Sequence, residues 1–354
     1  MNASVPVIGF PRLHTERLVV RPLRSDDVPT VVAYRNDPVV ARHQDWDLPF
    51  SPADGERMAR FLATAPWPLH GDWYQLVIEH DGVVVGEVGV GRTVRGLQAD
   101  LGYTLAGHAQ GRGFATEAVG AVVDLLFAEG VHRAHATLDP DNVASARLLE
   151  RLGFRHEGRT VKASLIRGEW LDDDLYAVTA AERAAWLARD LTPPVAVELI
   201  EIDQDNHEAV GGLETHHSQT WFVAPVVWSY AAALFPELDP SGKPFVPWLR
   251  AVTADGVLAA FVMLAEATAT NPEPFLWRLL VDRWHQGRGI GRRVLALVAE
   301  RLLAAGHERL STSWSPGRGS PAGFYLRLGF EPTGEIIDDE IVAAVDLTRL
   351  ITDR

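Results

Sequence analysis

The chain contains no cysteine among its 354 residues. Disulfides, thiolate metal ligands and a cysteine nucleophile are therefore excluded, and a cytoplasmic location fits without being required. Long apolar runs are also missing. No window approaches the roughly 20 uninterrupted apolar residues that a membrane helix needs, so a soluble protein with no membrane partner is expected. The opening Met1-Asn2-Ala3-Ser4-Val5-Pro6 lacks a basic stretch followed by an apolar core, so no secretory signal is expected there. Positive charge is scarce: 33 Lys and Arg face 47 Asp and Glu, a net charge of −14. Neither half is basic, since residues 1–190 carry 20 against 26 and the remainder 13 against 21. That argues against nonspecific nucleic-acid binding and welcomes cationic or amine ligands. The 13 histidines show no metal-ligand spacing, His216-His217 reads as a surface pair, and no metal site is expected.

What the chain does have is a repeat. Gln110-Gly111-Arg112-Gly113-Phe114-Ala115 returns as Gln286-Gly287-Arg288-Gly289-Ile290-Gly291. Each copy follows an apolar run, Leu101 to Leu105 or Leu276 to Val281, and precedes a helical pattern. The blocks align without a gap at a shift of 176, from Gln110 onto Gln286 through Phe154 onto Phe330. Upstream, each copy has an expected hairpin: Tyr74 to His80, Asp81-Gly82 and Val83 to Val90, then Leu249 to Ala254, Asp255-Gly256 and Val257 to Leu264. These turns align at 174, which implies two extra residues just before the second glycine turn. A soft prior of roughly 150 residues per domain agrees with two duplicated domains. The linker is expected around Leu191-Thr192-Pro193-Pro194, giving domains over 10–191 and 195–354. At the N-terminal end, Thr15 to Arg21 reads as a strand, and Ser25 or Asp26 as the cap of a helix running towards Tyr34.

A strand, a glycine turn and a helix N-terminus aim backbone N–H groups and the helix dipole at one spot, which suits a phosphate. A P-loop would need Gly-Lys-Ser/Thr, which neither copy has. A dinucleotide-binding turn would need a third glycine where Thr116 and Arg292 stand. What remains is Gln-x-x-Gly-x-Gly/Ala, embedded twice in strand, loop, helix, strand and a helix ending in Leu-Gly-Phe. This pattern resembles the GNAT superfamily of acyl-CoA-dependent N-acetyltransferases. Residues 12–190 are similar to the ribosomal-protein N-terminal acetyltransferase branch, through Thr15-Glu16-Arg17-Leu18, Ala99-Asp100-Leu101-Gly102-Tyr103, Gly113-Phe114-Ala115-Thr116-Glu117-Ala118 and Asn142-x-x-Ser145. Residues 197–354 are similar to the spermidine and diamine acetyltransferase branch, through Gln219, Leu276-Trp277-Arg278-Leu279-Leu280-Val281-Asp282 and Phe324-Tyr325-x-x-Leu328-Gly329-Phe330.

The resemblance implies an α/β (α+β) fold of two tandem GNAT domains. Each would have a mixed, mostly antiparallel sheet flanked by helices and a cleft where two strands splay. It implies acetyl-CoA as cofactor, one per domain, and direct transfer to a primary amine of a small molecule or a protein N-terminus. The glycine-loop residues Gln110, Gly111, Arg112, Gly113, Phe114 and Ala115, and Gln286, Gly287, Arg288, Gly289, Ile290 and Gly291, would hold the pyrophosphate. A backbone N–H near Leu105 or Val281 would meet the thioester oxygen. Tyr325 would serve as the acid for the leaving thiolate in the second copy. The first copy has Leu149 at that place and would use Ser145, with Asn142 as a neighbouring cofactor contact. Asp100 and Glu87 are candidate bases, Asp100 preferred. The second copy has Leu276 at the aligned place and Phe261 opposite Glu87, leaving Glu266, Glu335 or a water chain. Asp338-Asp339-Glu340 could attract a polyamine. An alternative keeps one half catalytic and makes the other a degenerate acyl-CoA-binding, structural or regulatory module.

Overall fold

Two Asp-Gly pairs form the tips of two β-hairpins. In a computed structural model describing residues 9–93, 95–239 and 241–352, Asp81 and Gly82 have φ of 50° and 78°, and Asp255 and Gly256 have 50° and 79°. Positive φ at both central residues is the type I′ geometry that matches the twist of paired strands. The chain divides between Ala188 and Arg189 into two compact units, described separately here.

In the N-terminal unit, β1 (Leu13–His14), β2 (Val19–Pro22), β3 (Trp73–His80), β4 (Val83–Arg92), β5 (Gln98–Leu105), β6 (Arg133–Leu138), β7 (Arg155–Ile166) and β8 (Glu169–Thr179) form one sheet. Its order is β1-β2-β3-β4-β5-β6-β8-β7, antiparallel except for β5 beside β6. Flanking it are α1 (Val28–Arg35), α2 (Pro38–Ala41), α3 (Pro52–Leu62), α4 (Phe114–Ala128), α5 (Val143–Arg151) and α6 (Ala180–Ala188). Helix α4 buries Phe114, Ala118, Val119, Val122, Val123 and Leu126, a stripe at helical spacing that packs into the core with Val88 and Val90 of β4. Each of its Val, Leu and Phe side chains, fully buried, contributes about 1.5–3 kcal/mol. Of the strand expected over Thr15 to Arg21, only Val19 onward is extended, in β2; residues 15–18 form a turn in which Thr15 N donates to Leu18 O. The N-cap position expected at Ser25 or Asp26 falls on Asp27, which makes no side-chain bond to α1; its carboxylate instead accepts Arg24 N at 2.8 Å and Arg21 Nη1 at 2.6 Å. The buried Arg21 guanidinium, which also binds Glu79 at 2.8 Å, holds the Asp27 carboxylate away from the helix.

In the C-terminal unit, β9 (Val197–Ile200), β10 (Val246–Ala254), β11 (Val257–Glu266), β12 (Phe275–Val281), β13 (Arg309–Trp314), β14 (Glu331–Ile337) and β15 (Glu340–Asp346) run in the order β14-β15-β13-β12-β11-β10-β9. The helices are α7 (His207–Gly211), α8 (Val226–Leu234), α9 (Ile290–Ala304), α10 (Ala322–Arg327) and α11 (Leu347–Thr352). Strand β11 is apolar on both faces. Ala260, Val262 and Leu264 pack with α9, and Phe261 and Met263 pack with Val210 and Val226 on the other side.

One feature is common to both sheets. Strands β5 and β6 pair only at Gln98–Arg133, Ala99–Ala134 and Asp100–His135. Strands β12 and β13 pair only at Phe275–Ser311 and Leu276–Thr312. Beyond those points the parallel strands part, and β5 and β12 stay paired only to β4 and β11. The two extra residues expected just before the second glycine turn lie further upstream. One is a bulge at Trp277, where pairing steps from Leu276 to Arg278. The other falls in the connection preceding β12. Consequently the residue occupying the place of Asp100 is Phe275, paired with Ser311, rather than Leu276.

Candidate active site

The glycine turns come first, because they sit where the strands part. Gly111 and Gly113 have φ of 74° and 80°, and Gly287 and Gly289 have 83° and 77°. A side chain is strained in that left-handed region whatever the space around it. A Cβ at Gly111, Gly287 or Gly289 would meet nothing within 4 Å, so backbone conformation, and no crowding, demands glycine there. Gly113 and Gly289 are the N-caps of α4 and α9, neither with a side-chain cap. The N–H groups of the first turn, from Phe114 and Ala115 or Ile290 and Gly291, therefore lack partners within the helix and face outward. That donor set fits an anionic pyrophosphate.

The other loop residues have structural duties. Gln110 Nε2 donates to Leu105 O at 3.3 Å, and Gln286 Nε2 donates to Val281 O at 3.0 Å and to Gln219 Oε1 at 2.8 Å. These glutamines, expected as cofactor contacts, tie the loop to the strand that leads into it. Arg112 lies over the Phe114 ring at 4.5 Å. Arg288, expected to add charge for the pyrophosphate, is 6% exposed and donates to Thr192 O at 2.9 Å, with Asp190 at 3.4 Å. Its guanidinium is committed to the chain before β9, so the pyrophosphate role does not fit it.

Strand parity determines what faces the gap. Ala106 N donates to Val85 O at 2.9 Å, which makes the adjoining Leu105–Gly86 pair a non-hydrogen-bonded one. The N–H groups of Leu105 and, two residues earlier, Tyr103 therefore point away from β4 and into the gap. Asp282 N donates to Ala259 O at 2.9 Å, so Val281 and Leu279 N–H point into the second gap by the same argument. The Leu105 and Val281 N–H groups are thus aimed as an oxyanion donor must be.

On the face covered by α5, the Tyr103 hydroxyl is 2.6 Å from Ser145 Oγ. Burial pushes the Tyr103 phenol well above its usual range. Asn142, expected as a cofactor contact, caps α5: its side-chain oxygen accepts Ser145 N at 3.2 Å. Leu149 is fully buried. In the second unit Tyr325 is 7% exposed, stacked on Trp314 at 5.6 Å and edge-on to Phe324 and Phe330 at 5.2 Å each. Burial raises its phenol to about 12, while the Thr312 hydroxyl pulls the other way. Thr312 belongs to the last pair before β12 and β13 part.

The opposite face of β5 carries the acids. Asp100 and His135 form the last pair before the strands part, Oδ1 to Nδ1 3.5 Å. Burial raises the Asp100 carboxyl and lowers His135, each opposed by the other's charge; Asp45 raises Asp100 further. The loop of residues 41–50 reaches this edge through His43, 2.7 Å from Asp139. Glu87 is different. It is 1% exposed and held by Arg35 in two hydrogen bonds of 2.8 Å, and Arg35 lies over Trp46 and Phe50 at 4.7 and 4.5 Å. A carboxylate committed in that way is a structural anion, and the base role expected for Glu87 is dropped. In the second unit Glu266 pairs with Arg301 at 2.5 Å. Asp338 and Asp339 have φ of 50° and 64°, as the turn between β14 and β15, and Glu340 accepts from Ser313 and Ser315. His216, expected at the surface, is half-buried, and burial pushes it down to about 4.

Comparison with known proteins identifies this arrangement. Residues 17–155 match an acetyltransferase (GNAT) domain model, and residues 196–330 match the acetyltransferase (GNAT) family model. The chain is 30% identical over 193 residues to the ribosomal protein uS5-alanine N-acetyltransferase of Escherichia coli, covering 51% of this chain and 95% of that one. The chain belongs to the GNAT family. It is also 26% identical over 175 residues to the uncharacterized N-acetyltransferase p20 of Bacillus licheniformis, covering 49% and 98%. A solved structure of Mycobacterium smegmatis RimJ in complex with CoA-disulfide is similar at 27% identity, covering 48% of this chain and 88% of that one with a TM-score of 0.43.

The protein is therefore a tandem GNAT N-acetyltransferase that moves an acetyl group to an amine. Two residues beside the strand gap of its N-terminal GNAT domain are not among the site residues expected from the sequence. Tyr103 stands within the family piece Asp-Leu-Gly-Tyr, and strand alternation alone puts it opposite Asp100. His135 carries no motif, and only the parallel β5–β6 register brings it to Asp100.

Proposed function

We propose that each GNAT domain binds acetyl-CoA along its strand gap and transfers the acetyl group directly to a primary amine. The gap-facing N–H beside a glycine turn, present in both copies, is the observation that carries this reading. Bound acetyl-CoA supplies the activated thioester. Around it, the glycine-turn and first-turn N–H groups would hold the pyrophosphate, and the N–H of Leu105, or of Val281 in the C-terminal domain, would donate to the acetyl oxygen. The Asp100–His135 pair takes the proton the amine must lose, because a lowered histidine stays neutral near pH 7 and can accept it. Ser145, backed by Tyr103, donates to the leaving sulfur from the opposite face, and Tyr325 does so in the C-terminal domain. Holding amine and thioester together supplies several kcal/mol by itself, so each donor can be modest.

The acceptor of the N-terminal domain is a small amine or a protein N-terminus, as the name of the Escherichia coli relative suggests. The acidic edge of Asp45, Asp100 and Asp139 suits a cationic approach. A cytoplasmic setting accords with the absence of cysteine. Among the described residues no helix is long and apolar enough to cross a membrane. Thiol release from acetyl-CoA with an amine panel tests the function. Ser145→Ala and Tyr325→Phe each lower turnover about 10²-fold toward the acceptors of their own domain, the usual size of one proton-transfer contribution. Undiminished turnover in both variants refutes the assignment. A second reading, in which only the N-terminal domain is catalytic, is favoured by Phe275 at the place of Asp100. It predicts that Tyr325→Phe changes nothing while Ser145→Ala removes all activity.

A further inference from the structure

The acceptor face of the N-terminal domain carries an aromatic group that the reaction has not used. Trp73 pairs with Gly91, Gly91 with Asp100, and Asp100 with His135. The four residues make one transverse row across β3, β4, β5 and β6 on a single face. Along β4 and β5 the neighbouring places on that face are Gly89 and Gly102, themselves paired.

Glycine in a strand interior weakens the sheet and marks a close approach of something else. Here that something is the indole of Trp73. A Cβ at Gly91 would lie 3.2 Å from Trp73 Cε2, a Cβ at Gly89 3.0 Å from Cε3, and a Cβ at Gly102 3.7 Å from Cζ3. Three glycines on two strands thus underlie the benzo ring, which lies across them beside Asp100. Yet Trp73 is 46% exposed. With one side of the ring resting on the glycines, that exposure leaves indole surface accessible beside Asp100. The C-terminal domain has no such shelf. The corresponding places hold Pro247, Met263, Ala265 and Arg278.

We infer that Trp73 is a specificity-determining residue of the N-terminal domain, its open indole face receiving the apolar or aromatic group attached next to the amine of a cationic acceptor whose ammonium sits at Asp100. This rests on the reading of the Asp100 face as the acceptor side. An indole is apolar in area and electron-rich on its face, so it holds hydrocarbon and tolerates positive charge while an acidic substituent gains nothing there.

The test uses the full chain carrying Tyr325→Phe, with ethylamine and phenethylamine as acceptors. Trp73→Ala raises KM for phenethylamine about tenfold, in line with the worth of one aromatic contact. KM for ethylamine, KM for acetyl-CoA and kcat stay within about twofold, and Trp73→Phe recovers most of the loss, because a phenyl ring offers the same platform. Equal losses on both amines, no loss on either, or no recovery with phenylalanine overturn the inference. Asp100→Asn is the separate control. If it leaves turnover of both amines intact, the acceptor-face reading fails and the platform with it, an outcome distinct from any pattern the Trp73 variants give.

Discussion

Glu87 and Asp100 are both acids on one face of neighbouring strands, and their surroundings give them opposite duties. Glu87 is buried against Arg35, so its removal leaves an uncompensated guanidinium in the interior. Breaking a buried pair in that way costs about 3–5 kcal/mol. Glu87→Gln is expected to lower the thermal midpoint markedly while kcat of the folded fraction holds. Asp100→Asn is expected to do the reverse, and paired melting curves and initial rates distinguish them. A second residue-scale expectation concerns pH. Burial lowers His135 below its ordinary value and raises the Asp100 carboxyl above its own, so the neutral, proton-accepting imidazole persists to a lower pH than that of a free histidine. The acid limb of kcat/KM for the N-terminal domain should therefore fall below pH 6.5, with no inflection near 7, and His135→Gln should move it. The sequence made Asp100 a candidate because a family motif holds it. It preferred Asp100 but could not exclude Glu87, because Arg35 stands 52 residues from Glu87 and only the packing of α1 on the sheet brings them together.

At the scale of elements, the glycine turn is a clamped object. Glu117, in the first turn of α4, accepts from Thr15 Oγ1 at 2.6 Å, Arg17 N at 2.9 Å and Arg17 Nε at 2.7 Å; Arg17 Nη1 also donates to Arg112 O at 3.0 Å. Two stretches that the sequence offers as separate family signatures, Thr15-Glu16-Arg17-Leu18 and Ala115-Thr116-Glu117-Ala118, are each other's partners. The aligned position in the second copy is Arg293, which donates to Pro194 O and to Val195 O. Opposite charges thus perform one task, anchoring the entry of each domain to the helix that follows its glycine turn. The repeat, the hairpins and the gap are legible because they rest on glycine, Asp-Gly and apolar runs, whose backbone demands are local. The bulge at Trp277 is not legible, since it depends on which cross-strand partner wins. Arg17→Ala should cost only about 0.2–1 kcal/mol of stability, because the pair is partly exposed. It should nonetheless raise KM for acetyl-CoA several-fold in the N-terminal domain and leave the C-terminal domain unchanged, as domain-selective acceptors would report.

For the whole molecule, the question is whether duplication has kept two working sites. The glycine-turn backbone is nearly the same in both copies, with loop glycines at φ of 74° and 80° against 83° and 77°. The chemistry around it has diverged, Asp100 and Ser145 in one domain against Phe275 and Tyr325 in the other. Backbone-borne cofactor binding survives side-chain drift more easily than catalysis does, because any sequence that keeps the turn keeps the N–H groups. Titration calorimetry of the full chain should therefore give two acetyl-CoA sites even if the two domains differ widely in turnover. Gly113→Glu and Gly289→Glu should each remove one site, since a side chain is strained at those φ values and a carboxylate repels the pyrophosphate. The double variant should bind none. A single site in the unmodified chain, abolished by one of the two substitutions and indifferent to the other, would identify the indifferent domain as one that kept the fold and lost the ligand.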